Sequence, residues 1–211
     1  MTAPDGVRLV LATHNAHKVG ELRDILHAVP ALADLDPAAV VGAGDVGAPE
    51  PVEDGVTFEE NALIKARALV AFTGLPAVAD DSGIAVDVLG GAPGVFSAYW
   101  AGHAKDSRAN LLLLLDQLSD ISDPWRTAQF VSTIALVDAG GAEHVVAGRW
   151  PGRLATAPRG DGGFGYDPIF VPDGQEPGRE RTVGEWSAEE KNAESHRSRA
   201  FTALLPLLER L

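Results

Sequence analysis

The sequence predicts an α/β fold, because segments typical of buried strands alternate with helical apolar spacing and with a hairpin. Residues 7–13 form an apolar run typical of a buried strand, and apolar residues then recur at helical spacing from Val19 until Pro30. A second apolar run at 77–88 indicates a further strand region, and residues 130–148 read as an antiparallel hairpin. No repeat or linker-like stretch divides the chain, so we expect one domain over residues 1–211 with two possible lobes.

The apolar run at 77–88 contains two adjacent carboxylates, Asp80 and Asp81, directly before Ser82 and Gly83. We expect a strand up to these acids, a turn at Gly83 and then a second strand. Carboxylates at the carboxyl end of a strand in an α/β sheet point into the crevice where ligands usually bind, and Mg²⁺ is their natural partner. Taken alone, the stretch slightly favours a plain turn, because Asp and Gly are turn-forming residues.

The composition excludes some classes of function. The formal net charge is −13, whereas nucleic-acid-binding proteins usually carry a basic face, so we expect no polynucleotide partner. A small polyanion remains compatible with this charge, because a few well-placed Lys and Arg side chains with a metal can dominate locally. The chain has no cysteine, no visible secretory signal and no apolar run near the ~20 residues of a membrane span. We therefore expect a cytoplasmic location and no membrane association.

The turn after the first predicted strand carries a hydroxyl, an amide and an ammonium. It reads Thr13-His14-Asn15-Ala16-His17-Lys18 and opens a helix, whose first N–H groups lack partners within the helix. Such a helix start attracts phosphate. A helix cap with a solvated lysine is the plainer explanation, and the two histidines read as surface residues because no third ligand lies nearby.

A second group of polar residues surrounds the start of another predicted helix. Thr57 and Glu60 form a capping-box pattern, which predicts that a helix begins there. Asn61 and Lys65 are four residues apart and share one helical face, where an amide and a cation could hold phosphate oxygens. Glu53, just before the helix, could complete a metal site. Each residue alone is more typical of a solvated surface.

A glycine-rich stretch with interspersed aromatic residues occupies residues 158–170. Glycine backbone can approach a flat ligand closely and aromatic rings can stack on it, so this stretch is a candidate base-binding loop. An ordinary loop entering a strand explains it about equally well. Further along, Lys191 and the Ser-His-Arg-Ser-Arg segment at 195–199 offer donors without matching acids.

Polar residues therefore recur at the ends of the predicted elements. The acidic or amide positions are Glu53, Asn61, Asp80 and Asp81, and the cationic ones are Lys18, Lys65, Lys191 and Arg197. With the aromatic loop, they match a nucleoside triphosphate and Mg²⁺, since that ligand would use all of them.

Six motifs carry a resemblance that runs from the first strand to the last helix. They are Thr13 to Lys18, Thr57 to Ala66, Ala79 to Gly83, Gly90 to Gly94, Gly162 to Phe170 and Ser195 to Arg197. In this order they resemble the successive motifs of the Ham1 family, also known as the inosine triphosphate pyrophosphatase family.

The resemblance implies an α/β fold with a long mixed central β-sheet flanked by helices, and two lobes around a nucleotide-binding cleft. It implies an enzyme that hydrolyses non-canonical purine nucleoside triphosphates (ITP, dITP and XTP) to the monophosphate and pyrophosphate. This activity would keep deaminated purines out of DNA and RNA. It also implies Mg²⁺ as cofactor and a homodimer.

Site roles follow residue by residue from the same resemblance. Asp81 would accept the proton of the attacking water and Lys65 would stabilise charge in the transition state, while Glu53, Asp80 and Asp81 would serve the metal. Donors such as His196 or Arg197 would face the purine 6-oxo group, which adenine lacks. The candidate substrate-binding residues are Thr13, His14, Asn15, Ala16, His17, Lys18, Asn61, Ser82, Phe164, Gly165, Tyr166, Asp167, Lys191, His196 and Arg197.

Two alternatives remain open at this point. One is a nucleotide pyrophosphatase of the Maf type, which would act on modified pyrimidines, dTTP or UTP, although the Phe164 loop and the 195–197 motif argue against it. The other is a sensing module that binds a triphosphate without cleaving it. Such a module would be expected to lack part of the acid set, yet Glu53, Asp80 and Asp81 are all present.

Overall fold

A computed structural model describes residues 6–13, 19–20, 23 and 36–209. The predicted phosphate-binding residues His14, Asn15, Ala16, His17 and Lys18 lie outside the described residues, and so does most of the helix predicted from Val19. Thr13 is described and lies half-buried just after the first strand.

In the described part of the chain, six strands form one sheet. They are β1 (Leu9–Leu11), β2 (Val40–Gly42), β3 (Ala77–Val86), β4 (Thr127–Val137), β5 (Glu143–Leu154) and β6 (Phe170–Pro172). Their order across the sheet is β2-β1-β3-β4-β5-β6, with β1 parallel to both β2 and β3 and with β5 antiparallel to β6. The sheet is therefore mixed, which confirms the predicted α/β class.

Helices connect and follow these strands. We number those with described bounds α1 (Phe58–Thr73), α2 (Ser107–Gln117), α3 (Ala188–Glu194) and α4 (His196–Leu208). The predicted capping box is present at α1, where the Thr57 side chain accepts from the Glu60 amide and the Glu60 side chain accepts from the Thr57 amide. Gly74 ends α1 with a φ of 71°, a left-handed conformation that suits glycine. No described helix is long and apolar enough to span a bilayer.

Strand β3 differs from its prediction. The expected turn at Gly83 is absent, and the strand runs without interruption through ten residues, with Asp80 and Asp81 in its first half. Gly83 serves close packing instead, since a Cβ atom built on it would lie 2.3 Å from the Ser97 Oγ. The acids still lie beyond the end of a neighbouring strand, because β1 stops at Leu11 opposite Val78. They thus emerge where the first parallel strand has ended.

Contacts divide the described residues into two compact units. One comprises those of 1–81, 133–147 and 200–211, and the other comprises 82–132 and 148–199. In the first, residues such as Leu9, Ile134 and Leu204 form a buried core. In the second, a separate core gathers around Leu114 and Phe170. Asp81 is the last residue of the first segment, and Ser82 opens the second unit.

Candidate active site

Asp81 is the centre of a polar cluster between β3 and α1. Its Oδ1 lies 3.4 Å from the Lys65 Nζ, and its Oδ2 accepts a hydrogen bond of 3.3 Å from the Asn61 Nδ2. The same Lys65 ammonium lies 2.9 Å from the Glu53 Oε2. The predicted placing of Asn61 and Lys65 on one helical face is thus confirmed, and that face is turned toward the strand carboxylate.

Asn61 connects the carboxylate to the loop before the helix. Its Oδ1 accepts a hydrogen bond of 2.9 Å from the Gly55 amide, while its Nδ2 donates to Asp81. The side chain is buried, and a Cβ atom on Gly55 would lie 2.6 Å from the Asn61 Oδ1. The amide group therefore fixes the Asp81 carboxylate from one side, and the Gly55 backbone fixes the amide.

The cluster shifts the pKa values of both Asp81 and Lys65. Burial raises the pKa of Asp81 above its ordinary value, and the lowering by Lys65 and Asn61 does not offset it. Burial acts to lower the pKa of Lys65, but the negative charges of Asp81, Glu53 and Asp80 outweigh it and raise that pKa. Lys65 therefore stays cationic, while Asp81 is a better proton acceptor than a solvated aspartate.

The predicted metal residues do not by themselves enclose an ion. Among residues 6–13, 19–20, 23 and 36–209, no three His, Cys, Asp or Glu side chains are grouped closely enough to hold a metal. The carboxylates of Asp81, Glu53 and Asp80 nevertheless all act electrostatically on the Lys65 ammonium, so several carboxylate oxygens are gathered around one side chain. This donor set fits a hard divalent cation that takes its remaining oxygen ligands from water or from a bound phosphate.

The second unit contains a cavity of about 220 Å³. Eight residues predicted to bind substrate line it: Ser82, Phe164, Gly165, Tyr166, Asp167, Lys191, His196 and Arg197. The lining also includes Gly83, Ser97, Ala98, Lys105, Ser107, Asn110 and Phe130, which the sequence analysis did not identify. A concave space lined by aromatic side chains and a few polar groups is typical of a small-molecule site.

Lys191 has an acid partner, contrary to the expectation that it lacks one. Its ammonium forms an ion pair with the buried carboxylate of Asp167, and it lies 4.2 Å from the centroid of the Phe164 ring. The Asp167 Oδ2 also accepts a hydrogen bond of 2.7 Å from the Phe164 amide. Asp167 thus fixes both the loop that carries the exposed Phe164 ring and the cation beneath that ring.

Ser97 joins three parts of the cavity wall. Its Oγ accepts a hydrogen bond of 2.9 Å from the Ile84 amide and donates one of 2.6 Å to the Gly94 carbonyl. Its carbonyl oxygen accepts a hydrogen bond of 2.9 Å from the Tyr166 hydroxyl. These bonds connect strand β3, just after the acids, to the glycine-rich loop, and they explain why only glycine fits at Gly83.

Tyr166 leads to a prediction about alkaline stability. Burial raises the pKa of Tyr166 above its ordinary value of 10.0. Below pH 10 the phenol is neutral in both the folded and the unfolded protein. Above pH 10 it ionises first in the unfolded chain, so the free energy of unfolding decreases as the pH rises. We expect Tyr166→Phe to lose about 1 kcal/mol at pH 8, through the hydrogen bond to Ser97. We also expect a shallower decline in stability above pH 10 than in the wild type.

Urea unfolding at pH 8 and at pH 11 measures both effects. Tyr99→Phe provides a matched control, since Tyr99 is the other of the chain's two tyrosines. If the free energy of unfolding of Tyr166→Phe and of the wild type decreased equally between pH 8 and pH 11, ionisation of Tyr166 would not be the cause of the alkaline loss of stability.

The residues missed by sequence reasoning had weak local signals. Phe130 stands in an apolar run that reads as ordinary core. Lys105, Ser107 and Asn110 surround the start of α2, where only the capping Asp106 carries a recognisable pattern. The Asn110 side chain donates a hydrogen bond to the Ala98 carbonyl and accepts one from the Ala101 amide. Its polar group therefore binds the backbone of the preceding segment.

Comparison with known proteins supports one assignment. A model of the Ham1 family matches residues 9–207. A dITP/XTP pyrophosphatase of Leifsonia xyli subsp. xyli is 56% identical over 206 residues, which are 97% of this chain and 97% of the relative. The dITP/XTP pyrophosphatase of Mycobacterium tuberculosis is 51% identical over 205 residues, 97% of this chain and 96% of the relative.

Solved structures agree with these relatives. A HAM1 protein from Coxiella burnetii superposes with a TM-score of 0.85 at 37% identity, covering 97% of this chain and all 100% of the other. A nucleoside-triphosphatase, or dITP/XTP pyrophosphatase, from Mycobacterium abscessus gives a TM-score of 0.80 at 50% identity, with 95% and 100% covered. The resemblance of the six motifs is thereby confirmed over nearly the whole chain, and the Maf-type alternative is set aside. The chain belongs to the Ham1 family.

Proposed function

We propose that this protein hydrolyses non-canonical purine nucleoside triphosphates, namely ITP, dITP and XTP, to the nucleoside monophosphate and pyrophosphate. One observation carries the proposal. Strand β3 places Asp81 in a half-buried cluster with Lys65 and Asn61, and its next residue, Ser82, lines the cavity with Phe164 and His196. The names of the relatives, dITP/XTP pyrophosphatase, agree with such a substrate.

The proposed chemistry is a water attack on the α-phosphorus. The Asp81 carboxylate orients the water and takes its proton, a new P–O bond forms, and the bond from the α-phosphorus to the bridging oxygen breaks to release pyrophosphate. Lys65 remains cationic beside Asp81 and stabilises the negative charge that develops on the phosphate oxygens. Thr13, Asn15 and Lys18 are proposed to hold the remaining phosphates.

Glu53, Asp80 and Asp81 are proposed to hold Mg²⁺ together with phosphate oxygens. All three carboxylates act electrostatically on Lys65, and carboxylate oxygen is a ligand that Mg²⁺ prefers, which supports this assignment. Bound there, the ion would neutralise phosphate charge.

The base is proposed to lie in the cavity, with Phe164 stacking on it. His196 or Arg197 would donate to the 6-oxo group of hypoxanthine or xanthine, and the 6-amino group of adenine would leave such a donor unpaired. Lys191 and Asp167 would fix the Phe164 loop. We further propose that the protein is a homodimer, and light scattering on the purified protein measures its oligomeric state. We also propose a cytoplasmic location, where the enzyme would act on the free nucleotide pool.

The first test is a substrate panel. The purified protein is incubated with ITP, XTP, dITP, GTP, ATP and UTP, with and without Mg²⁺, and the products are separated by chromatography. We expect Mg²⁺-dependent pyrophosphate from ITP, dITP and XTP, and little from the others. Binding of ITP without product would instead support the sensing module, and release of orthophosphate would exclude attack at the α-phosphorus.

Lys65 leads to a prediction about turnover. We expect Lys65→Ala to lower kcat for ITP by ~10²–10³, because a cation aimed at the developing charge is lost. Arg67→Ala is the matched control: it lies two residues further along α1, where its exposed guanidinium pairs with Glu143. That control should stay within about twofold, since exposed ion pairs contribute little. Equal kinetics for the two variants would remove Lys65 from the active site.

A further inference from the structure

Phe130 occupies an unusual position for a strand residue in an apolar run. Its ring lines the cavity and stacks on the imidazole of His196, with ring centroids 4.9 Å apart and planes inclined by 14°. Both side chains are only 7% exposed. A near-parallel stack of two buried rings covers one face of the imidazole, so the ring edge, which carries both nitrogens, is the part left to meet other groups.

The backbone of His196 is fixed independently of this stack. His196 is the first residue of α4. The preceding Ser195 accepts a hydrogen bond of 3.2 Å on its Oγ from the Ser198 amide, and its own amide donates to the Lys191 carbonyl at 2.9 Å. With the Cα position held in this way, the remaining freedom of His196 is rotation of its side chain, and the Phe130 ring restricts that rotation.

Phe130 packs against a row of aromatic side chains that begins with Phe170. Phe170, which is fully buried, meets the Phe130 ring edge-on at 4.6 Å and 65°. Phe170 in turn packs against Trp150 at 5.6 Å, and Trp150 packs against Trp186 at 5.5 Å. In a close-packed core such a row of rings leaves no space into which Phe130 could withdraw. The plane of the His196 ring is therefore determined by the core of this unit.

We propose that Phe130 is a positioning residue that sets the plane of the His196 imidazole, and through it the discrimination among purine bases. The inference rests on the proposed function, in which His196 or Arg197 donates to the 6-oxo group, and it takes His196 as that donor. A hydrogen bond weakens steeply when its angle departs from linearity, so a rotated imidazole would distinguish a 6-oxo from a 6-amino group less well. Phe130 would act on specificity without touching the phosphates.

The test compares Phe130→Leu with Phe201→Leu. Phe201 is also 7% exposed, but it belongs to the core of the other unit. We expect Phe130→Leu to lower the ratio of kcat/KM for ITP to that for ATP about tenfold, the loss of roughly one well-aligned hydrogen bond, chiefly through KM for ITP. Phe201→Leu should leave the ratio unchanged. Phe130→Tyr, which retains the ring, should retain the ratio.

Two further measurements separate positioning from a general loss of packing. In proton–carbon NMR spectra, the Cε1–H signal of His196, assigned with His196→Asn, should lose its aromatic ring-current shift in Phe130→Leu and keep it in Phe201→Leu. In a His196→Asn background, Phe130→Leu should cause no further change in the ITP to ATP ratio. A full additional loss in that background would overturn the role assigned to Phe130.

The possible failures are distinguishable. If the wild-type protein prefers ITP and Phe130→Leu has the same ratio of kcat/KM for ITP to that for ATP, only the role of Phe130 is overturned. A wild-type protein without any preference for ITP would overturn the proposed function and this role with it. If Phe130→Leu unfolds, judged by near-ultraviolet circular dichroism, Phe130→Met replaces it, since Met is closer in volume and adapts to core gaps.

Discussion

Asp81→Asn is expected to lower kcat for ITP hydrolysis by ~10²–10⁴, the range associated with loss of a general base. The amide retains the shape of the carboxylate and one acceptor oxygen for either Asn61 or Lys65, but it cannot accept a proton from water. Steady-state kinetics with ITP and Mg²⁺ measure the effect. Glu59→Gln is the control, because Glu59 is an exposed acid in the first turn of α1. That variant should be within about twofold of the wild type.

The same substitution should not destabilise the fold. Burial raises the pKa of Asp81, which means that the folded protein disfavours its charged form relative to the unfolded chain. A neutral amide removes this cost, and Lys65 keeps Glu53 as a partner at 2.9 Å. We therefore expect an unchanged or higher melting temperature together with the loss of turnover. Turnover that survives in Asp81→Asn would assign the proton acceptor to another group.

The helical part of this cluster could be predicted from the sequence because its determinants are local. The capping box of Thr57 and Glu60 fixes where α1 begins, and the pitch of the helix then places Asn61 and Lys65 on one face. These interactions span no more than a few residues, so residue type and spacing suffice. The partner of that face, Asp81, was suggested only by its chemistry, since 16 residues separate it from Lys65.

The prediction for β3 was wrong because a glycine has two uses that the sequence does not distinguish. A glycine close behind two aspartates is the pattern of a turn, which is what the sequence predicts at Gly83. In the fold it is needed for close approach, since the Ser97 side chain occupies the space that a Cβ atom would take. The cause lies fourteen residues away in a different segment, and no local pattern reports such a distant contact.

Only some of the residues that line the cavity could be predicted from the sequence. Its polar and aromatic residues on the glycine-rich loop could be predicted because their composition is unusual. Phe130 could not, since an apolar residue in an apolar strand has the same pattern whether it faces a core or a ligand site. The pairing of Lys191 with Asp167 was also missed, because the two residues are 24 positions apart.

Asp167 leads to the second prediction of large effect, on stability. The residue is 2% exposed, and its carboxylate pairs with the Lys191 ammonium and accepts a hydrogen bond from the Phe164 amide. Breaking a buried ion pair by removing one partner leaves the other charge uncompensated, which typically costs ~3–5 kcal/mol. We therefore expect Asp167→Asn to lower the free energy of unfolding in urea by about that amount, with m unchanged.

The double variant Asp167→Asn with Lys191→Met separates the charge effect from the loss of shape. Removing both charges should recover a large part of the stability, because an apolar side chain no longer needs a buried counterion. The loop amide of Phe164 can still donate to the Asn side-chain oxygen, so the loop should keep its fold. A loss below about 1 kcal/mol in the single variant, or no recovery in the double variant, would contradict this account of the pair. The ion pair also keeps a cation beneath the Phe164 ring, 4.2 Å from its centroid, which two apolar side chains of equal stability would not do.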